Sequence, residues 1–204
     1  MSEHDKDFDW NEIYTGQASD YEPPDQRMLE IVAGLSPGRA LDMGCGAGGM
    51  LVALAGAGWT VSGIDIASKA IEAARKVMAD RGIAAQLQVA DASQWTSEES
   101  FDLVTNSFAL PETREQQAKI FATCRQLLSP GGHFLLKDFD KPPTDNPDFL
   151  RFHCPTLEEL RSDFEGFEIL QAEIVETPAH VHHAEEQGHG TPWSAILFHA
   201  RKPL

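Results

Sequence analysis

Short apolar runs alternate with longer amphipathic stretches through most of the chain. The runs Arg39 to Met43, Thr60 to Ile64, Gln86 to Ala90, Leu103 to Asn106 and His133 to Lys137 predict strands. Between them, stretches at about 47 to 57, 68 to 81 and 113 to 128 carry a helical period, and a shorter one falls near 93 to 98. Strands this apolar, each followed by a helix, predict an α/β fold: a parallel sheet covered on both faces by right-handed crossovers. Ligands of such sheets bind at the carboxyl ends of the strands, where Asp65, Asp91 and Asn106 fall. After Lys137 the pattern changes. Asp138 to Asn146 reads as a loop, Thr156 to Phe164 as a helix with Thr156 and Glu159 suited to a capping box, and Phe167 to Thr177 and Trp193 to Arg201 as a returning pair of strands.

Ahead of the first strand lies a two-part cap. Asp7 to Tyr14 can form a short helix, and Pro23-Pro24-Asp25 can start a second one, Gln26 to Leu35, with an apolar stripe of Met28, Leu29, Ile31, Val32 and Leu35. Trp10 and Tyr14, four apart, share a helix face. Two roles stand side by side for them: their ring faces attract a cationic ligand, or they pack the cap onto the sheet. Residues 1–204 thus read as a single domain, with 1–35 as an N-terminal cap or lid and 36–204 as its core.

Composition narrows the partners. The chain has 204 residues, with 16 basic against 32 acidic side chains and a formal charge of -16, a field that repels nucleic acid and anionic membranes. No apolar run approaches a membrane span and the first residues are too polar for a signal peptide, so a cytoplasmic protein is expected. Cys45, Cys124 and Cys154 form neither a disulfide framework nor a zinc pattern, and Cys124 reads as core.

The candidate chemistry begins at Ala40-Leu-Asp-Met-Gly-Cys-Gly-Ala-Gly-Gly49, an apolar run ending in glycines before a helix. Glycine there accepts positive φ and lets a ligand approach the backbone, while the helix offers unpaired N–H groups. Gly44, Gly46 and Gly49 also satisfy the dinucleotide spacing, which on its own is a weak signal. Asp42 argues against a pyrophosphate, because its carboxylate repels phosphate and attracts ammonium or sulfonium. Asp65, at the end of the second strand, suits a ribose hydroxyl pair of either ligand class.

In order and spacing, Leu41-Asp-Met-Gly-Cys-Gly-Ala-Gly48, Gly63-Ile-Asp-Ile66, Val89-Ala-Asp-Ala92, Phe101-Asp-Leu-Val-Thr-Asn106 and Leu128-Ser-Pro-Gly-Gly-His-Phe-Leu135 resemble the motifs of class I S-adenosylmethionine-dependent methyltransferases. The resemblance covers about residues 39 to 137 and implies a Rossmann-like seven-stranded mixed sheet of order 3-2-1-4-5-7-6 with its last strand antiparallel. It implies S-adenosylmethionine as cofactor, with Asp42 and Gly44, Cys45, Gly46, Ala47 and Gly48 around the methionine part. Asp65 would hold the ribose and Asp91 lie by the adenine, with Ile66, Ala92, Asn106 and Ser107 as further cofactor contacts. Trp10, Tyr14 and Tyr21 would close over the sulfonium. A looser likeness, in Trp10-x-x-x-Tyr14 and the C-terminal segment, is to the small bacterial tellurite-resistance and thiopurine methyltransferases, and implies a small-molecule acceptor. The competing readings are a non-catalytic S-adenosylmethionine-binding sensor and an NAD-binding oxidoreductase.

On the acceptor side, Phe108 is expected at the floor. An oxygen, nitrogen or carbon nucleophile commonly needs a base. His153 is one candidate; His182 and His183 are others, in the loop Pro178 to His189, which holds four of the eight histidines. That loop has three readings: a solvated segment, a substrate or general-base element, or a metal site built from His180, His182 and Glu185, whose spacing matches no established zinc motif. No metal is expected.

Overall fold

The computed structural model of the chain describes residues 9–12, 14, 23–142, 150–177 and 193–204. A short 3-10 turn at Trp10–Glu12 precedes helix α1 (Gln26–Ala33). There follow β1 (Arg39–Met43), α2 (Gly49–Gly56), β2 (Thr60–Asp65), α3 (Ser68–Asp80), β3 (Ala85–Val89), β4 (Phe101–Ser107), α4 (Arg114–Leu127), β5 (Leu128–Phe139), α5 (Leu157–Asp163), β6 (Glu168–Thr177) and β7 (Trp193–Arg201). The strands form one sheet in the order β3-β2-β1-β4-β5-β7-β6. β1 to β5 run parallel, and β7 is antiparallel to both β5 and β6. This is the expected order and direction.

Two apolar cores explain why the central strands read as unbroken hydrophobic runs. On one face Met28 and Val32 of α1, Leu51 and Leu54 of α2 and Ile71 and Met78 of α3 pack over Ala40, Val61, Leu103, Leu135 and Leu197. On the other, Ile120, Phe121 and Cys124 of α4 and Leu160 of α5 pack with Phe164 over Leu41, Val104, Phe134 and Phe198. Phe134 and Phe164 stack with centroids 4.6 Å apart. Alternate residues of one strand thus feed different cores, and a one-residue slip would exchange them. Gly63 marks where α2 presses closest on the sheet, since a Cβ there would meet Leu51 Cδ1 at 2.8 Å and Cys45 Sγ at 2.9 Å.

Three element boundaries depart from expectation. The segment near 93 to 98 is a turn over 92–94 and not a helix, because Asp91 accepts from Ser93 N–H and Oγ and from Gln94 Nε2, which closes the chain locally. β5 starts at Leu128, directly after α4, and the described part of the first cap segment is only the 3-10 turn. The capping box at α5 forms as expected, with the Thr156 side chain on Glu159 N–H and the Glu159 side chain on Thr156 N–H.

Candidate active site

At the carboxyl end of β1 the chain turns through Gly44 (φ 76°), Gly46 (φ 51°) and Gly48 (φ 94°) before entering α2. Side chains would be strained there, and at all three positions they would also collide, at Gly48 with the flexible end of Met78. A Cβ on Gly44 would overlap that of Ala109, and one on Gly46 would lie 2.8 Å from the Tyr14 hydroxyl. The turn is held from β2. Gly44 and Cys45 N–H donate to Ile64 O (2.8 and 3.0 Å), Gly46 N–H to Asp65 Oδ2 (2.9 Å), and Asp65 Oδ1 accepts from Ala67 N–H (2.9 Å). Asp65 therefore spans the two loops while each carboxylate oxygen keeps acceptor capacity.

Burial pushes the Asp42 carboxyl up to about 7; the hydrogen bond from Thr105 Oγ1 (2.6 Å) opposes this and the Asp65 charge adds to it. Asp65 is also raised by burial, against the N–H bonds of Ala67 and Gly46. Burial, with Asp42 and Asp65 behind it, pushes the Cys45 thiol well above its usual value, so it is no nucleophile. At the end of β4, Asn106 is 1 % exposed; its Nδ2 donates to Met43 O (2.9 Å), while its buried Oδ1 has no partner.

These features fit S-adenosylmethionine. An orphaned buried acceptor beside the glycine turn calls for a donor. α2 begins without a side-chain cap, leaving N–H groups for a carboxylate, and Ile66 is 54 % exposed at the crevice edge, an apolar surface for a base. Asp91 is held below its ordinary value, because the bonds from Ser93 and Gln94 outweigh the burial that opposes them. Ala92 packs partly buried against the core next to it, and Ser107 lies at the last position of β4.

The described residues of the N-terminal segment, 9–12 and Tyr14, lie over this edge. Asn11 Oδ1 accepts from Ser68 Oγ and Lys69 N–H (both 3.2 Å) at the start of α3, Tyr14 reaches Gly46, and the Trp10 ring meets Phe152 edge-on with centroids 5.9 Å apart. At the end of β4 Phe108, expected at the acceptor floor, sits at φ 51°, next to Phe139 (4.9 Å between centroids). His153 is drawn into the α5 cap: its Nε2 lies 3.2 Å from Glu159, and its backbone is held by Glu112 and Gln117. Tyr21, His182 and His183 lie outside the described residues. The strand ends flanking their loop, Thr177 and Trp193, pair at the carboxyl edge, and Ser194 Oγ donates to Asp140 Oδ1 (2.7 Å).

Two groups escaped the sequence reading. Lys137 is fully buried and its ammonium pairs with Asp25, the N-cap of α1. Asp138 is 6 % exposed and accepts from Phe139 N–H (2.7 Å) and Leu110 N–H (3.3 Å). A charged Lys-Asp pair closing an apolar strand was the available signal, since buried charges require partners.

A family profile described as a methyltransferase domain matches residues 40–132. Over that stretch the chain is similar to methyltransferases, and its fold is that of S-adenosylmethionine-dependent methyltransferases among solved structures. Among curated proteins it is similar to the ubiquinone biosynthesis O-methyltransferase of Thiobacillus denitrificans, at 34% identity over 108 residues, 52% of this chain and 46% of that one. The chain spans about half the length of the curated relatives it matches. TehB from Haemophilus influenzae shares the fold at a TM-score of 0.76 and 19% identity, over 94% of this chain and 65% of its own. A structure from work on the conversion of a disulfide bond into a thioacetal group during echinomycin biosynthesis superposes at a TM-score of 0.74 and 26% identity, over 95% of this chain and 90% of its own. The cofactor of this methyltransferase family is S-adenosylmethionine, and the antiparallel β7 with the family match sets the NAD-binding reading aside. Among the described residues no helix is long and apolar enough to cross a membrane.

Proposed function

We propose that this chain is an S-adenosylmethionine-dependent methyltransferase that transfers a methyl group to a small-molecule acceptor in the cytoplasm, with no nucleic-acid partner. One observation carries the reading: the glycine turn, the Asp65 carboxylate and the orphaned Asn106 Oδ1 converge at one strand edge. When bound, the cofactor supplies an electrophilic methyl carbon on a sulfonium. The chain's part is positioning and exclusion of water. Asp65 accepts the ribose hydroxyls, Asp42 balances the cationic end, Ile66 and Asp91 flank the adenine, and Trp10 and Tyr14 cover the crevice. Phe108 and Phe139 floor the acceptor side. The net charge of -16 disfavours polyanions and leaves small neutral or cationic molecules as the natural acceptors.

Titration calorimetry is the test. Binding of S-adenosylmethionine and S-adenosylhomocysteine with none of NAD is expected; the reverse preference overturns the reading. A panel of thiols, phenols, amines and soft anions, followed by release of S-adenosylhomocysteine, separates an enzyme from a sensor, which binds without transfer to any of them.

A further inference from the structure

The turn after β4 is strained, and one buried carboxyl holds it. Phe108 is the one non-glycine among the described residues with positive φ (51°). For a bulky aromatic this is an unfavourable backbone state that persists only when the surroundings impose it. Here they do. Phe108 N–H donates to Lys137 O (2.8 Å), and Leu110 N–H donates to Asp138 Oδ2. Asp138 Oδ1 at the same time takes the N–H of Phe139, whose ring lies against Phe108. Between those anchors, Ala109 rests on Gly44 so closely that no side chain fits at Gly44.

We infer that Asp138 is a positioning residue: by holding the 108–110 turn it seats Ala109 on the cofactor turn and Phe108 on the acceptor floor together. The inference rests on the methyltransferase reading and adds a residue to it. The charge of Asp138 is also felt at Cys154. The Cys154 thiol, two residues from Phe152, is pushed up to about 12 by burial and then by the charges of Asp138 and Asp140. Asp140 differs from Asp138 in its partner, taking its hydrogen bond from Ser194 of β7 and not from the turn.

The test compares Asp138→Asn, Asp138→Ala and Asp140→Asn in the full chain. S-adenosylhomocysteine affinity is read by calorimetry, Cys154 alkylation by iodoacetamide with peptide mass spectrometry, and folding by far-UV circular dichroism. Asn keeps an acceptor oxygen for the turn, so a graded loss is expected: roughly three- to tenfold for Asn and over thirtyfold for Ala, with no change for Asp140→Asn. Cys154 should alkylate several-fold faster in Asp138→Asn. Parent-like affinity in a folded Asp138→Ala overturns the inference; if that variant fails to fold, parent-like affinity in Asp138→Asn does so. Equal losses in Asp138→Asn and Asp140→Asn also overturn it, as does an unchanged Cys154 rate. If the parent itself binds no S-adenosylhomocysteine, the functional reading fails, while the Cys154 rates still decide whether Asp138 sits where the inference needs it.

Discussion

At the β1–β2 end of the crevice the bonds that shape it run to or from backbone atoms: Gly44, Cys45 and Gly46 N–H to Ile64 and Asp65, and Ala67 N–H to Asp65. At the β4–β5 end two contacts join side chains from distant parts of the chain, Lys137 with Asp25 and Trp10 with Phe152. Asp138 holds the 108–110 turn through a backbone N–H, as Asp65 holds the glycine turn. A ligand bound by backbone demands little of sequence beyond glycines and one acid, so one cofactor end can serve many chemistries. The β4–β5 end depends instead on side-chain partners that lie far apart in the chain.

That contrast breaks most visibly at Lys137. Its ammonium is fully buried, and Asp25 is held below its usual value because the bond and charge of Lys137 outweigh the burial opposing them. Lys137→Ala leaves the half-buried Asp25 carboxylate with only its backbone N–H partners and unlocks α1 from β5. The expected cost is about 3–5 kcal/mol of unfolding free energy, read from urea denaturation. A shift under about 1 kcal/mol would mean that water reaches the pair and that the acceptor end is no more side-chain-dependent than the other.

The same contrast explains what could be read in advance. Strands β1 and β7 were legible because apolar runs and glycine turns are local signals, whereas the sheet order came with the resemblance to methyltransferase motifs. So was the meeting of Gly46 with Asp65, since parallel neighbours deliver both to one edge. The turn after Asp91 was misread as a helix because a carboxylate that takes three local donors competes with helical bonding. His153 was a candidate base or substrate contact from its residue type alone, and only the fold shows that Glu159 serves both the cap of α5 and its imidazole. Asp25 lies 112 positions from Lys137, and no local pattern announces such a partner.

A second, smaller effect sharpens the cofactor end. Asp65→Ala removes the carboxylate that orders the glycine turn and accepts the proposed ribose bonds. A loss of about 2–3 kcal/mol in S-adenosylhomocysteine binding is expected, roughly 30- to 150-fold by calorimetry. Asp91→Ala should cost less than about 1 kcal/mol, since Ser93 and Gln94 already occupy its oxygens. Equal losses in the two variants would mean that Asp65 has no special place.

The smallest expected effect is a proton. Asp42 keeps its proton up to about 7 in the folded chain against an ordinary 3.8, so its native value is raised. A raised carboxyl contributes stability that is fully present below about 3.8 and lost as pH rises through about 7. His199 has the opposite sign: burial and then the charges of His133 and Arg201 lower it to about 4, so its contribution is lost as pH falls below 6.5. Between pH 6.5 and 8 the carboxyls therefore dominate, and Asp138, also raised to about 7 by burial, titrates beside Asp42. A cationic ligand at Asp42 favours the carboxylate, so binding should expel up to about half a proton at pH 7. Affinity should then rise by a few-fold from pH 6.5 to 8. Calorimetry of S-adenosylmethionine in two buffers of different ionisation enthalpy reads the release directly, and Asp42→Asn removes the part due to Asp42 while leaving that of Asp138. Proton release unchanged in Asp42→Asn would place the cationic end of the cofactor away from Asp42 and leave the glycine turn, not the buried acid, as what holds it.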